Sequence, residues 1–97
     1  MPCEMRRAAR VDANHAEITH ALRQCGWTVH DTSGVGGGFP DLVVGKAGRL
    51  VLVEIKDGAK KPSARRLTKA EALFWQKFGE AGVWVEIVES IEDATTL

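Results

Sequence analysis

The sequence predicts a small α/β domain in which helices flank a mixed central β-sheet. Two apolar, β-branched runs, residues 41–45 and 50–56, flank a short turn that contains a glycine, which is typical of an antiparallel hairpin. A helical pattern and one more strand follow, and a β–α–β connection of this kind is usually parallel and right-handed. The predicted order of elements is therefore αβββαβ.

Length and composition indicate one soluble globular domain, residues 11–97. The chain has 97 residues, of which 44% are hydrophobic and 27% charged, and these proportions are ordinary for such a domain. Residues 1–10 are predicted to form a basic arm, either ordered or disordered. No apolar run reaches the roughly 18–20 residues that cross a bilayer, and the first residues lack the apolar core of a signal peptide. We therefore expect a cytoplasmic protein without a membrane partner.

The first half of the chain is predicted to contain a helix, a strand and a loop. The helix should begin near Asp12, a good N-cap residue, and end at Gly26. Its apolar residues recur at helical spacing, namely Ile18, Leu22 and Cys25. A strand over residues 27–31 and a glycine-rich loop over residues 32–40 follow. The histidines of the helix, His15 and His20, are interpreted as surface residues.

The second half begins with the hairpin and a basic loop over residues 57–67. A capping box at Thr68–Glu71 then predicts a helix that continues to about Ala81 and ends at Gly82. Its apolar residues recur at helical spacing, namely Leu73, Phe74, Phe78 and Ala81, and Trp75 is predicted to pack on the sheet as part of the core or, alternatively, on a partner. Residues 83–88 are predicted to form the last strand, and residues 90–93 can begin a short terminal helix.

The register of the hairpin predicts a cluster of charges at its end. If Gly45 pairs with Leu50, paired residue numbers sum to 95, so that Asp41 lies opposite Glu54 with Cβ atoms about 4.5–5.5 Å apart. Side chains alternate along a strand, so Glu54 and Lys56 share a face. Opposed like charges destabilise a sheet, and a divalent metal such as Mg²⁺, which prefers oxygen ligands, would compensate them. The alternative is that Glu54 and Lys56 face solvent and Asp41 caps a turn.

These residues resemble a known signature. Pro40-Asp41, followed after twelve residues by Glu54-Ile55-Lys56, resembles the PD-(D/E)XK nuclease motif. The glycine-rich lead-in at residues 36–41 and the later segment 67–71 are similar to one branch, the VRR-NUC (virus-type replication-repair nuclease) domain. The resemblance runs from about Glu17 to Ile87, which is most of the chain.

The resemblance implies a restriction-endonuclease-like core and phosphodiester cleavage of DNA that depends on Mg²⁺ or Mn²⁺. It implies metal ligation by Asp41, Glu54 and the Ile55 carbonyl. Glu17 of the first helix is either a further ligand or a surface residue. Asp41, Glu54 and Lys56 would be the catalytic residues. Family members often carry Gln at the start of the helix after the motif, and here either Glu71 or Gln76 could support the site. Branched DNA such as a four-way junction, cut by a homodimer, is the implied substrate.

Basic residues follow the motif directly. Between Lys56 and Lys69 the chain has six Lys or Arg residues and one acid, whereas residues 79–97 have five acids and no Lys or Arg. A phosphate backbone could lie against this basic segment, and the nucleic-acid-binding residues would be Lys60, Lys61, Arg65 and Arg66. Gly37 and Gly38 in the loop either let a phosphate approach the backbone or form a mobile connection.

The sequence therefore predicts a metal-dependent, structure-selective DNA endonuclease, and two alternatives accompany it. One is a non-catalytic nucleic-acid-binding module on the same fold, which the intact Asp41, Glu54 and Lys56 set argues against. The other is a sequence-specific endonuclease, which ranks lower because a chain this short offers little surface for reading base edges.

Overall fold

A computed structural model of the chain describes residues 14–97. The predicted basic arm, residues 1–10, and the predicted N-cap Asp12 therefore lie outside the described residues. The elements follow the predicted order with a short terminal helix added: α1 His15–Gln24, β1 Thr28–Asp31, β2 Leu42–Lys46, β3 Arg49–Ile55, α2 Lys69–Glu80, β4 Val85–Val88 and α3 Ile91–Thr95. A single 3₁₀ turn, Pro62–Ala64, interrupts the basic loop.

The four strands form one mixed sheet in the order β1-β2-β3-β4, which confirms the predicted α/β class. β1, β2 and β3 are antiparallel neighbours, and β3 and β4 are parallel. Gly45 pairs with Leu50 and Lys46 with Arg49, so the predicted register is confirmed. The connecting residues Ala47 and Gly48 have φ values of 52° and 81°, the left-handed conformation that tight hairpin turns require.

One face of the sheet carries the core, which α1 and α3 cover. Ile18 and Leu22 of α1 are fully buried against strand residues that alternate along the sheet, namely Leu42, Val44, Val53, Ile55 and Val88. The predicted spacing of α1 is thus confirmed, although the helix begins at His15 with Asn14 as its N-cap residue. Cys25 packs against this core and is half-buried.

α2 covers only part of the opposite face of the sheet. The helix begins at the predicted capping box but contains no buried residue, so the prediction that Trp75 packs in the core is wrong. Leu73, Trp75 and Phe78 are 52%, 41% and 38% exposed. The physical reason is that α2 lies beside β4 at the edge of the sheet, and its rings pack on one another: Phe74 stacks on Phe78 with centroids 4.2 Å apart.

Trp84 lies on the surface between α2 and β4 and is 65% exposed. Its ring occupies the space beside Gly79, where an added Cβ would come within 2.9 Å of it. A glycine inside a helix costs about 1 kcal/mol relative to alanine, and here it makes room for the indole. Within residues 14–97, no helix is long and apolar enough to cross a membrane.

Candidate active site

Asp41 is fixed by the end of the glycine-rich loop. The Thr32 amide donates to the Asp41 carbonyl at 2.8 Å, and the Thr32 hydroxyl donates to the carbonyl of the buried Pro40 at 2.7 Å. The Asp41 carboxylate in turn accepts a hydrogen bond from the Ile55 amide, with Oδ2 to N at 2.8 Å. Asp41 is therefore held against the end of β3, beside Glu54.

Glu54 and Lys56 lie at the end of β3 and are almost fully buried, at 3% and 8% exposed. The alternative in which both face solvent is therefore wrong. Lys56 Nζ lies 3.5 Å from Glu54 Oε2, and the Lys56 amide continues the pairing with β4 by donating to the Val88 carbonyl at 3.0 Å. The shared face follows from the alternation of side chains along β3.

Glu71, at the start of α2, completes the cluster. Its Oε1 accepts hydrogen bonds from Lys56 Nζ at 2.8 Å and from the Thr68 amide at 2.8 Å. The second bond belongs to the capping box. The motif that begins α2 therefore also holds the Glu71 carboxylate against Lys56 Nζ. Gln76 instead donates to Glu80 on the exposed surface, at 3.3 Å. Of the two residues that the sequence left open, the structure brings Glu71 to the cluster.

The cluster holds more negative charge than Lys56 neutralises. Burial, the nearby Asp41 charge and Glu71 raise the pKa of Glu54 to about 9. Burial also raises the pKa of Asp41, although the Ile55 amide and a hydrogen bond with Glu54 oppose this. For Glu71, burial is outweighed by the bonds from Lys56 and Thr68, which lower its pKa. Two ionised carboxylates cannot hydrogen-bond each other, so the Asp41–Glu54 contact requires a proton, which Glu54 holds at neutral pH.

The raised pKa of Glu54 predicts a pH-dependent cost to folding. Between the ordinary value of 4.5 and about 9, the native chain keeps a proton that the unfolded chain releases, so stability falls as pH rises through this window. Glu54→Gln does not titrate. We expect it to stabilise the fold by about 2 kcal/mol at pH 8, a value reduced for solvent screening, and to have little effect near pH 4.5.

Denaturant unfolding with chelator present, at pH 4.5 and pH 8, measures this difference. Glu86→Gln, at an exposed carboxylate on β4, is the matched control and should change stability little at either pH. A Glu54→Gln gain that is the same at both pH values would contradict the raised pKa.

The structure exposes Glu17 and covers most of the His15 side chain. Glu17 is exposed and lies along a groove with Asp57 and Glu92. The His15 side chain is only 12% exposed, and its Nε2 lies 3.3 Å from Asp31 Oδ2. The interpretation of His15 as a surface residue is therefore wrong, whereas His20 is exposed as predicted.

Comparison with models of protein families, with curated proteins and with solved structures gave no match. The resemblance to VRR-NUC nucleases thus stays a prediction. The Asp41, Glu54, Lys56 and Glu71 side chains lie together at the end of β3 and the start of α2, and we call them the acidic cluster.

The donor chemistry of the acidic cluster suits Mg²⁺ or Mn²⁺. Within residues 14–97, no group of three or more His, Cys, Asp and Glu side chains is arranged to hold a metal ion as it stands. Lys56 Nζ lies close to both Glu54 and Glu71 and is their cation. One observation nevertheless fits a metal, because the Asp41 and Glu54 carboxyl pair would bind a divalent cation on losing its proton.

The residues predicted to contact DNA differ in their surroundings. Lys60, Lys61 and Arg66 are exposed, while Arg65 lies 3.2 Å from Glu89 in an ion pair. Gly38 has a φ of +84°, and an added Cβ would overlap the Ala70 carbonyl, so close packing against α2 explains this glycine. Gly37 is exposed with open space around it and is accessible to a phosphate.

Proposed function

We propose that the chain is a metal-dependent, structure-selective DNA endonuclease with a restriction-endonuclease-like core, acting on branched DNA such as a four-way junction. The observation that carries the proposal is the pair formed by half-buried Asp41 and buried Glu54, in which the pKa of Glu54 is raised to about 9, beside the buried Lys56. Strongly perturbed groups of this kind concentrate at functional sites. A four-stranded mixed sheet with flanking helices is compatible with this core.

Each residue of the proposed site has its own role. Asp41, Glu54 and the Ile55 carbonyl would hold Mg²⁺ or Mn²⁺, which supplies Lewis-acid stabilisation of charge on a phosphate. Lys56 directs its ammonium at the attacking water or at the charge that develops on the phosphate oxygens. Glu71, 2.8 Å from Lys56 Nζ, positions that ammonium, and the capping box in turn positions Glu71.

DNA is the proposed partner because exposed cations follow the acidic cluster along the chain. Lys60, Lys61 and Arg66 are exposed in the loop that begins directly after Lys56. Contacts to phosphates are independent of sequence, and a single small domain offers little surface for reading bases. We therefore propose that the shape of the DNA, rather than its sequence, selects the substrate.

Two symmetric incisions in a junction require two sites, so we also propose a homodimer with two-fold symmetry. The surface that supports it consists of the exposed apolar residues of α2 and of the segment leading into β4 and along it. We call it the aromatic face: Leu73, Trp75, Phe78, Val83, Trp84 and Ile87.

Cleavage assays on junction, flap, splayed and linear duplex DNA test the proposed function. We expect incision of the junction with Mn²⁺ or Mg²⁺, little incision of the linear duplex, and none with chelator. Absence of cleavage on every substrate at millimolar Mn²⁺ would contradict the proposed nuclease activity.

A non-catalytic DNA-binding module is the second candidate, and one observation favours it. Lys56 is bound to Glu71 at 2.8 Å, so the ammonium already has a structural role as the counter-ion of the buried acids. Junction binding that persists in Mn²⁺ without any incision would select this candidate.

The basic loop is predicted to bind through charge alone. Removing one phosphate contact should lower the slope of log K against log salt by roughly 0.9 for duplex DNA. We expect this decrease for Lys60→Ala, Lys61→Ala and Arg66→Ala. Arg65→Ala should lower the slope less, because Arg65 is paired with Glu89.

Binding titrations at several salt concentrations, on two DNA molecules of the same shape and different sequence, provide the measurement. Lys77→Ala, an exposed cation on α2, is the control and should leave the slope unchanged. An Arg66→Ala chain that altered sequence preference but kept the original slope would show that charge is not the mechanism.

A further inference from the structure

Thr32 lies opposite Asp41, one position beyond the paired residues of β1 and β2. The pairing of these strands ends at Asp31 and Leu42. The Thr32 amide extends it by donating to the Asp41 carbonyl at 2.8 Å. The register of the hairpin places Asp41 opposite Glu54 in the same way. Thr32, Asp41 and Glu54 therefore form one row across the ends of three neighbouring strands.

Thr32 holds the peptide group on each side of the Asp41 Cα atom. Its hydroxyl donates to the Pro40 carbonyl at 2.7 Å, and this carbonyl belongs to the peptide group that precedes Asp41. Its amide donates to the Asp41 carbonyl, which belongs to the peptide group that follows. Peptide groups are planar, so the orientations of these two planes set the soft backbone torsions of Asp41. One residue therefore fixes the backbone from which the Asp41 carboxylate extends.

The residues around Thr32 leave its hydroxyl little freedom to move. Thr32 is β-branched, which restricts χ1, and its carbonyl accepts a hydrogen bond from the Val35 amide at 3.0 Å. The preceding residue, Asp31, accepts a hydrogen bond from the Ser33 amide at 2.8 Å. Pro40 is fully buried and its ring fixes φ, so the Thr32 hydroxyl restrains the remaining torsion that orients the Pro40 carbonyl.

The Asp41 carboxylate connects this backbone to β3. Its Oδ2 accepts a hydrogen bond from the Ile55 amide at 2.8 Å, and the carbonyl of Ile55 is itself a proposed metal ligand. The Lys56 amide, next along the chain, donates instead toward β4, to the Val88 carbonyl at 3.0 Å. The Ile55 amide therefore reports the position of the Asp41 carboxylate, whereas the Lys56 amide reports only the pairing with β4.

We propose that Thr32 is a positioning residue for cleavage, which sets the place of the Asp41 carboxylate through the backbone of Pro40 and Asp41. This inference rests on the proposed nuclease function. A misplacement of about 1 Å in a reacting group lowers a rate by about a hundredfold. The hydroxyl, rather than the bulk of the side chain, carries the effect, because the hydroxyl makes the bond to Pro40.

Thr32→Val keeps the β-branched shape and removes the hydroxyl. We expect it to lower the single-turnover rate of junction cleavage at saturating protein by about tenfold to a hundredfold, while the affinity for junction DNA in chelator stays native. Thr32→Ser keeps the hydroxyl and should restore most of the rate. Thr28→Val, the same change at an exposed position of β1, is the matched control and should leave the rate unchanged.

Amide hydrogen exchange measured by NMR provides a readout that requires neither DNA nor metal. In the Thr32→Val chain, the Ile55 amide should exchange about tenfold faster, as expected when one hydrogen bond that holds its acceptor is lost. The Lys56 amide should keep its native exchange rate. In the native chain, the Thr32 and Ile55 amides should open together and respond alike to added denaturant.

A Thr32→Val chain that cleaves at the native rate, or a Thr32→Ser chain that loses as much activity, would overturn the positioning role. A native Ile55 amide that stays protected while the Thr32 amide exchanges freely would also overturn it, and this result requires no substitution if the Thr32→Val chain does not fold. Absence of cleavage of every DNA by the native chain would instead contradict the proposed function. The exchange of the two amides would then still decide whether Thr32 positions Asp41.

Discussion

Glu54→Ala is expected to lower junction cleavage by about a thousandfold or more, which corresponds to about 4 kcal/mol of transition-state stabilisation. Asp41→Ala should have an effect of the same size. Both carboxyl groups are proposed to hold the metal, and a bound metal ion stabilises the charge of the transition state by several kcal/mol. Single-turnover cleavage at saturating protein separates this loss from weaker DNA binding.

Lys56→Ala should also abolish most cleavage, but for a different reason that metal binding reveals. Calorimetric titration with Mn²⁺ should show little binding to the Asp41→Ala and Glu54→Ala chains. The Lys56→Ala chain should retain Mn²⁺, because removing the ammonium that lies 3.5 Å from Glu54 Oε2 removes a competitor for that carboxylate. Equal loss of metal in all three variants would contradict these separate roles.

The fold should survive the carboxylate substitutions, since each removes a carboxyl group whose ionisation is opposed by burial, as the raised pKa values of Asp41 and Glu54 show. Circular dichroism spectra and melting curves check this. Glu80→Ala, at an exposed carboxylate on α2, is the matched control and should keep full activity. Normal turnover by a well-folded Glu54→Ala chain would rule out the acidic cluster as the active site.

The placement of Asp41, Glu54 and Lys56 was predictable because it depends on local rules. A tight turn fixes the pairing of Gly45 with Leu50, and the alternation of side chains then fixes every later position on β3. Glu71 was a candidate for a related reason: the capping box determines where α2 begins, and with it the position of that carboxylate. Neither inference requires knowledge of how α1 packs.

The roles of His15 and Thr32 were not predictable in the same way. His15 meets Asp31 across 16 positions of sequence, and Thr32 holds Pro40 across a loop of irregular backbone. Helical periodicity shows that His15 and Glu17 flank the buried stripe of α1 on opposite sides. It does not show which flank faces the end of β3, because that depends on how the helix packs on the sheet.

The misassignment of Trp75 in α2 has a similar cause. The spacing of Leu73, Phe74 and Phe78 correctly predicts a helix, but periodicity identifies apolar residues without showing what covers them. α2 lies at the β4 edge of the sheet, so most of its apolar surface stays exposed. This is the observation on which the proposed dimer depends.

The chain is expected to have twice the monomer mass of 10.6 kDa in solution. The exposed fractions of Trp84, Trp75 and Phe78, 65%, 41% and 38%, leave about 300 Å² of ring surface uncovered if a whole aromatic side chain offers roughly 200 Å². With the aliphatic residues of the aromatic face, this supplies part of the roughly 800 Å² that each partner buries in a stable interface. β4 also forms an outer edge of the sheet. Its one charged residue is Glu86, and a single charge is a weak barrier to pairing of this edge with a second chain.

Trp84→Glu should convert the dimer to a monomer, raising the dissociation constant by about a hundredfold or more, because each copy would bury a charge at the anchor of the interface. Trp84 is largely exposed, so the substitution should leave the monomer folded. Light scattering at micromolar protein measures the mass, and Ile91→Glu, at an apolar residue of α3 that is 47% exposed, is the control that should remain dimeric. A monomeric mass of the native chain that persists when junction DNA is added would remove both the dimer and the paired-incision mechanism. The acidic cluster would then remain a candidate only for single incisions.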